Sequence, residues 1–157
     1  MLEIVIPSRG MLRLEYLVLD VNGTIALDGV LVAGVHERLA GLGESLDIWL
    51  VSADTQGTLA SLVDSLKVKA RLLQPGDEAA QKAALVDELG TEGVVAVGNG
   101  ANDAAMLRQA ALGIAVLGGE GLAAACLEAA DVIAPDIEAA LDLLLRPRRL
   151  IATLRAK

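Results

Sequence analysis

What most restricts the fold of this chain is a repeated alternation: a short apolar run, a polar cluster where it stops, then a stretch with helical spacing. Leu2 to Ile6 reads as a first strand, ended by Pro7 and Gly10, and Leu14 to Leu19 as a second that runs into Asp20. Val35 to Leu42 reads as a short helix, Leu46 to Val51 as a strand, Gln56 to Leu66 as a helix, and Val68 to Leu72 as a strand stopped by Pro75 and Gly76. Asp77 to Leu89 has helical periodicity with Gly90 placed to end it. Val94 to Val97 is a strand, and Asn102 to Ala110 a helix for which Asn102 is a natural N-cap. Leu112 to Leu117 and Val132 to Ala134, with helices between, complete the series. Strands alternating with helices predict βαβ units and an α/β fold with a mainly parallel sheet. Such sheets take ligands at the carboxyl ends of their strands. Three polar clusters fall there: Asp20 to Thr24, Ser52 to Thr55, and Asn99 to Asp103.

The length, 157 residues, suits one domain spanning residues 1–157. With 54% hydrophobic residues the chain has ample material for a core, so disorder is excluded. The formal net charge of −8 repels nucleic-acid phosphate and anionic membrane surfaces alike. With no Phe, one Trp and one Tyr, stacking on bases is hardly available. Arg146 to Arg149 is a local basic spot, read as a helix end followed by a solvated turn. No apolar run reaches the ~20 residues of a membrane helix, and no basic-then-apolar leader is seen. The single Cys126, in an apolar stretch, reads as a core residue, and one unpaired cysteine fits a cytoplasmic location. His36, with no second His or Cys nearby, reads as structural.

The clusters carry definite chemistry. Asp20 at a strand tip, followed by Val21-Asn22-Gly23-Thr24, can be aimed at a ligand while neighbouring N–H groups, Gly23 among them, point at a phosphoryl oxygen. An Asp nucleophile forms an acyl-phosphate and splits one hard step into two easier ones. Read alone, the same pentapeptide is also a plain strand end with an Asn-Gly turn. Ser52 offers a hydroxyl to phosphate or a helix cap. Lys82 can neutralise a carboxylate and a phosphate, or be a solvated side chain. In Gly98-Asn99-Gly100-Ala101-Asn102-Asp103 the glycines permit close approach, and Asp103 can help hold a hard cation. This is not the dinucleotide fingerprint, which needs a glycine where Asp103 stands.

Taken in order, strand-Asp-x-x-Gly-Thr, strand-Ser, helix-Lys and strand-Gly-x-Gly-x-Asn-Asp resemble the four motifs of the haloacid dehalogenase (HAD) superfamily, from about Leu14 to Ala134. The resemblance implies a three-layer, doubly wound sheet with no cap domain. It implies Asp20 as nucleophile, Thr24 steadying the first loop, Ser52, Lys82 and Gly23 on phosphate, and Mg²⁺ held by Asp20, the Asn22 carbonyl, Asn99 and Asp103. VNGTIALDG, VSADTQGT, VGNGANDAAML and RLIATLR look like the soluble P-type-ATPase-like group of that superfamily. The intervals between clusters are too short for a pump's nucleotide-binding domain, and no membrane helices are seen. A capless site implies cover by an oligomer or by a large substrate.

Two residues depart from that pattern. HAD phosphatases usually carry an acid/base Asp where Asn22 stands, and the amide cannot titrate, which costs typically ~10²–10⁴-fold in rate. Asp28 and Asp54 are alternative acids, each also placed as a turn or cap residue. A metal-binding Asp is usual where Asn99 stands, so cation affinity is expected to be weaker. The leading expectation is a Mg²⁺-dependent phosphatase or phosphotransferase acting on a small phosphorylated molecule or a phosphoprotein. The alternative is a weak or inactive HAD-fold binding protein. A receiver-like domain would need a further acid pair at the first strand, and none adjoins Asp20.

Overall fold

The computed structural model describes residues 1–53 and 57–156. The strands are β1 (Leu2–Ile6), β2 (Gly10–Leu14), β3 (Tyr16–Asp20), β4 (Ala26–Leu27), β5 (Val30–Leu31), β6 (Asp47–Ser52), β7 (Lys69–Leu72), β8 (Val94–Gly98), β9 (Leu112–Val116) and β10 (Val132–Ala134). The helices are α1 (Val35–Leu42), α2 (Leu59–Leu66), α3 (Glu78–Leu89), α4 (Ala104–Gln109), α5 (Ala124–Ala129), α6 (Ile137–Leu145) and α7 (Pro147–Leu154). Six strands form one sheet in the order β10-β9-β8-β3-β6-β7, with every neighbouring pair parallel.

Parallel sheets are covered on both faces, and the strand sequences meet that demand. Leu17, Val18 and Leu19 of β3 are all fully buried, as is the whole of β8 and β9. The alternation of side chains sorts them into two cores. Leu17, Leu19, Leu50, Val95 and Ile114 join Leu39 of α1, Leu141 of α6 and Leu150 of α7 on one face. Val18, Val51, Val94 and Ala96 join Leu85 and Val86 of α3, Met106 of α4 and Cys126 of α5 on the other. Burying a Leu or Val side chain fully is worth ~1.5–3 kcal/mol, so β3 is anchored firmly enough to carry an unfavourable charge at its tip.

The chain leaves β3 toward β6 and β7 on one side, then returns to β8 and β9 on the other. The loops after β3 and β8 therefore diverge, and a crevice opens between them at the carboxyl ends.

Three local expectations are corrected and one is refined. Leu2–Ile6 is the strand expected but lies outside the main sheet: Pro7 to Arg9 turn the chain, with Ser8 at φ 70° and Gly10 at φ 101°, and β1 pairs antiparallel with β2. The run Leu14 to Leu19 accordingly splits, Leu14 closing β2 opposite Leu2 and Tyr16 opening β3. Asn102 caps no helix, because Ala101–Asp103 is a 3-10 turn and the Asn102 amide is drawn to Glu78. Arg146 to Arg149 is not a solvated turn: Pro147 opens α7 at a position where its missing N–H costs nothing, and Arg149 faces Asp142 at 3.8 Å. The expected helix start at Gln56 lies outside the described residues, within which α2 begins at Leu59.

Candidate active site

Asp20 is the last residue of β3, and strand alternation turns its side chain to the same face as Val18, toward α3. On α3, Lys82, Leu85, Val86 and Leu89 share the inward stripe, so the lysine stands where an apolar residue would ordinarily pack. Its Nζ lies 2.8 Å from Asp20 Oδ1 and 2.7 Å from Asp103 Oδ1, and the side chain is 2% exposed. Asp77 sets the helix start by accepting from Ala80 N at 3.0 Å, which fixes the axial position of Lys82 one turn on.

Asp103 is fully buried and its Oδ2 accepts from the backbone N–H groups of Asn99 and Gly100, each at 3.0 Å. A Cβ on Gly98 would stand 2.5 Å from this carboxylate, so only glycine allows the approach. Asp103 thus clamps the loop after β8 and holds Lys82, with three donors already on its two oxygens. Thr24 Oγ1 lies 3.0 Å from Asp20 Oδ2 and 3.0 Å from Asn99 Oδ1, which ties the first loop to the last. Within the first loop the N–H groups of Thr24, Ile25 and Ala26 all turn back to the Val21 carbonyl, and the Gly23 N–H, expected on phosphate, donates instead to the Ala26 carbonyl at 2.7 Å, with Gly23 at φ 80°.

Burial, and next the charge of Asp103, push the Asp20 carboxyl up from 3.8 to about 6, against the opposite pull of Lys82 and Thr24. Burial alone would drag the Lys82 ammonium down, but Asp20 and Asp103 outweigh it and hold it above its ordinary value. Two carboxylates share one ammonium out of water, so the group is short of positive charge.

A cleft of about 230 Å³ opens above, lined by Asp20, Asn22, Ser52, Lys82, Asn99 and Gly100, together with Glu78, Asn102, Ala53 and Glu120. Of the residues singled out at the three strand ends and on α3, Asp20, Asn22, Ser52, Lys82 and Asn99 thus meet at one rim, while Asp103 and Thr24 lie buried behind it, bonded to Lys82 and Asp20. Asp28 does not line it: Asp28 and Gly29 both have positive φ and make the exposed turn of the β4–β5 hairpin. Asp54 lies outside the described residues. Cys126 is buried beneath the loop, its thiol pushed up to about 11 by burial, so it is no nucleophile. His36 is exposed on α1, beside a groove of about 470 Å³ at the opposite ends of the strands.

Sequence reasoning missed Glu78 and Glu120. Glu78 opens α3 and its Oε2 accepts from Asn102 Nδ2 at 2.8 Å. Glu120 comes from Gly118-Gly119-Glu120-Gly121 after β9, and its carboxylate fills the space that a Gly23 side chain would need. The one available signal was a lone acid among glycines just past a strand's carboxyl end.

The acids and amides that line the cleft, Asp20, Asn22, Asn99, Glu78 and Glu120, offer hard oxygen donors, a set suited to a hard divalent cation rather than to a soft metal. The excess of buried negative charge favours a cation there. Among the described residues no three acidic, His or Cys side chains form a ready-made metal cluster. Among them, too, no helix is long and apolar enough to cross a membrane.

No protein-family model matches the chain. It is 42% identical over 84 residues to the uncharacterized protein MJ0073 of Methanocaldococcus jannaschii, a stretch covering 51% of this chain and 90% of that one. A second uncharacterized protein of that organism, MJ0072, is 54% identical over 39 residues, 25% of this chain and 89% of its own. Among solved structures, the chain is similar to one described as a HAD family hydrolase of Streptomyces avermitilis (TM-score 0.67, 22% identity, covering 87% of this chain and 93% of that one). It is also similar to the 3-deoxy-D-manno-octulosonate 8-phosphate phosphatase of Moraxella catarrhalis, solved with magnesium, phosphate and sugar (0.67, 17%, 90% and 94%). The cobalt-bound octulosonate phosphatase of Haemophilus influenzae is a third such structure (0.71, 12%, 92% and 94%).

Proposed function

In a chain that has the fold of the HAD hydrolases and shares a family with the uncharacterized MJ0073, we propose that the cleft belongs to a Mg²⁺-dependent phosphatase or phosphotransferase acting through an aspartyl-phosphate on Asp20. The observation that carries this reading is the Asp20–Lys82–Asp103 bridge at the floor of the cleft, with Ser52 beside it. The phosphatase neighbours that hold magnesium or cobalt support it.

In the first step a carboxylate oxygen of Asp20 bonds to phosphorus while the bond from phosphorus to the leaving oxygen breaks. That oxygen takes a proton from water, since Asn22 cannot supply one. In the second step water attacks phosphorus, the bond to Asp20 breaks, and phosphate leaves with the carboxylate restored. Lys82, released from part of its pairing with Asp20 as that charge is esterified, is placed to hold phosphoryl oxygens together with Ser52. Thr24 keeps the first loop on the last, and Asp103 holds Lys82 and the Asn99–Gly100 backbone in place. Bound Mg²⁺ would be held by Asp20, the Asn22 carbonyl and Asn99, with Asp103 behind them, and would neutralise charge on the phosphoryl group.

The substrate on this reading is a small phosphorylated molecule or a phosphoprotein, in a cytoplasmic setting. The intervals between β3 and β6 and between β7 and β8 hold only short described elements, which supports a capless single domain over residues 1–157 and the likeness to the soluble P-type-ATPase-like group. Exposed Leu27, Val30 and Leu117 support cover by a second copy of the chain.

Soaking with Mg²⁺ and beryllium fluoride is expected to give an adduct on Asp20. A panel of phosphoesters and acyl phosphates is expected to show turnover that Asp20→Asn abolishes. The amides at Asn22 and Asn99 favour a second reading, a HAD-fold binding protein. Absence of both adduct and Asp20-dependent turnover selects it.

A further inference from the structure

We propose that Glu120 is the carboxylate that completes the divalent-cation site at the tip of β3, in the place left by Asn99. The inference rests on the cation-dependent reading of the cleft and adds a ligand from a loop which that reading does not use.

The need for a further acid is visible in the protons. Thr24 has one hydroxyl hydrogen, yet its oxygen stands 3.0 Å from both Asp20 Oδ2 and Asn99 Oδ1. One of those two oxygens is therefore left without that proton. Turning the Asn99 amide over does not repair this, because its oxygen would then face the Gly121 carbonyl, which now accepts from Nδ2 at 3.3 Å. Asp20, Thr24 and Asn99 are 8%, 3% and 6% exposed, so water serves these oxygens poorly. A cation bound to the crowded oxygens relieves the shortage, but Asn99 brings it no charge. Asp103 is not free to compensate, since Lys82 and two backbone N–H groups already hold it.

Glu120 is brought to the same cleft by built geometry. The Gly121 N–H closes on the Gly118 carbonyl at 2.9 Å and bends the loop back. Asn99 anchors that bend at both ends of its own residue: its amide donates to Gly121, and its carbonyl accepts from Ala123 N at 2.9 Å. The Glu120 carboxylate then occupies the volume a Cβ on Gly23 would take, a point 3.0 Å from Asn99 Nδ2 and next in the chain to the Asn22 carbonyl. Glu120 itself is exposed, so the cation-free chain does not bear the cost of a third buried carboxylate beside Asp20 and Asp103. The charge comes into use when a cation enters from solvent.

The test is calorimetric titration of the full chain with Mg²⁺, paired with Mn²⁺ electron paramagnetic resonance, for the natural chain, Glu120→Gln, Asp20→Asn, and Asn99→Asp combined with Glu120→Gln. Glu120→Gln is expected to weaken both cations roughly tenfold or more, and adding Asn99→Asp to restore them. Its melting temperature in cation-free buffer is expected to stay at or above that of the natural chain, which shows that the loss is not one of folding. Binding within about twofold of the natural chain, with Asp20→Asn inactive in binding, overturns the proposal and leaves the phosphatase reading standing. So does a variant that loses turnover but keeps its cation affinity, which would put Glu120 in proton transfer instead. A natural chain that binds neither cation also overturns it, and Asp20-dependent turnover then decides separately whether the phosphatase reading survives.

Discussion

Asp20 is held where burial works against its charge. On folding, burial pushes its carboxyl up from 3.8 to about 6, so between those values the folded chain holds more protons. The cation-free protein therefore loses stability as pH rises through that window and stays lower above it. Asp20→Asn removes the charge at nearly constant shape. It is expected to raise the urea denaturation midpoint at pH 7 to 8, with a smaller gain at pH 5. Urea titrations across that range check it, and a gain that grows toward acid pH would contradict the sign. Lys82 behaves oppositely. Lys82→Met leaves two buried carboxylates facing each other and is expected to cost ~3–5 kcal/mol, readable in the same titrations. Asn22, exposed at the cleft, is the place to restore an acid. Asn22→Asp is expected to raise phosphoester turnover by ~10²–10⁴-fold at near-constant stability, and an unchanged rate would mean that Asn22 is not the missing proton donor.

Gly23 ties two loops together, because its positive φ shapes the first and its missing side chain admits Glu120 from the other. Gly23→Ala is expected to cost ~1–2 kcal/mol from backbone strain, as is Gly90→Ala, whose added carbon meets open space. Only the first is expected to lower cation affinity and turnover, and equal effects of the two would remove the role assigned to the contact. The same loops mark what could be read in advance. The strands that run into Asp20, Ser52 and Asn99 were legible, because a buried parallel strand needs an unbroken apolar run and its ligand-facing end a polar break. Lys82 was legible only through the motif order, since alone it read equally as a solvated side chain; its burial on the stripe of Leu85, Val86 and Leu89 came from the structure. Glu120 was not, since its place depends on hydrogen bonds between Asn99 and Gly121, partners far apart along the chain. Nor was the fate of Asn102, whose capping tendency lost to a charged acceptor on α3 that only tertiary folding supplies. The β1–β2 hairpin was obscured because Pro7 and Gly10 signal a chain break as readily as a reversal.

The two cores and the single sheet make the cleft a junction, with β3 carrying Asp20 between β6 and β8, and α3 pinning Lys82 from one face. An ion bound there is bound only by the folded chain, so its binding energy adds to folding stability. At a hundredfold excess over its Kd, Mg²⁺ is expected to add ~2.7 kcal/mol, or ~5–10 °C in melting temperature for a chain of this length. A formal net charge of −8 complicates the measurement, because any salt screens self-repulsion and raises the melting temperature somewhat. The comparison is therefore made against sodium chloride at equal ionic strength, with Asp20→Asn alongside. Screening acts on the variant nearly as on the natural chain, since one charge in twenty-one acidic residues changes, whereas site binding is lost with its central ligand. A Mg²⁺ gain that exceeds the sodium gain in the natural chain and vanishes in Asp20→Asn places the ion at the tip of β3. A gain of equal size in both proteins assigns it to the acidic surface and removes the cation from the cleft.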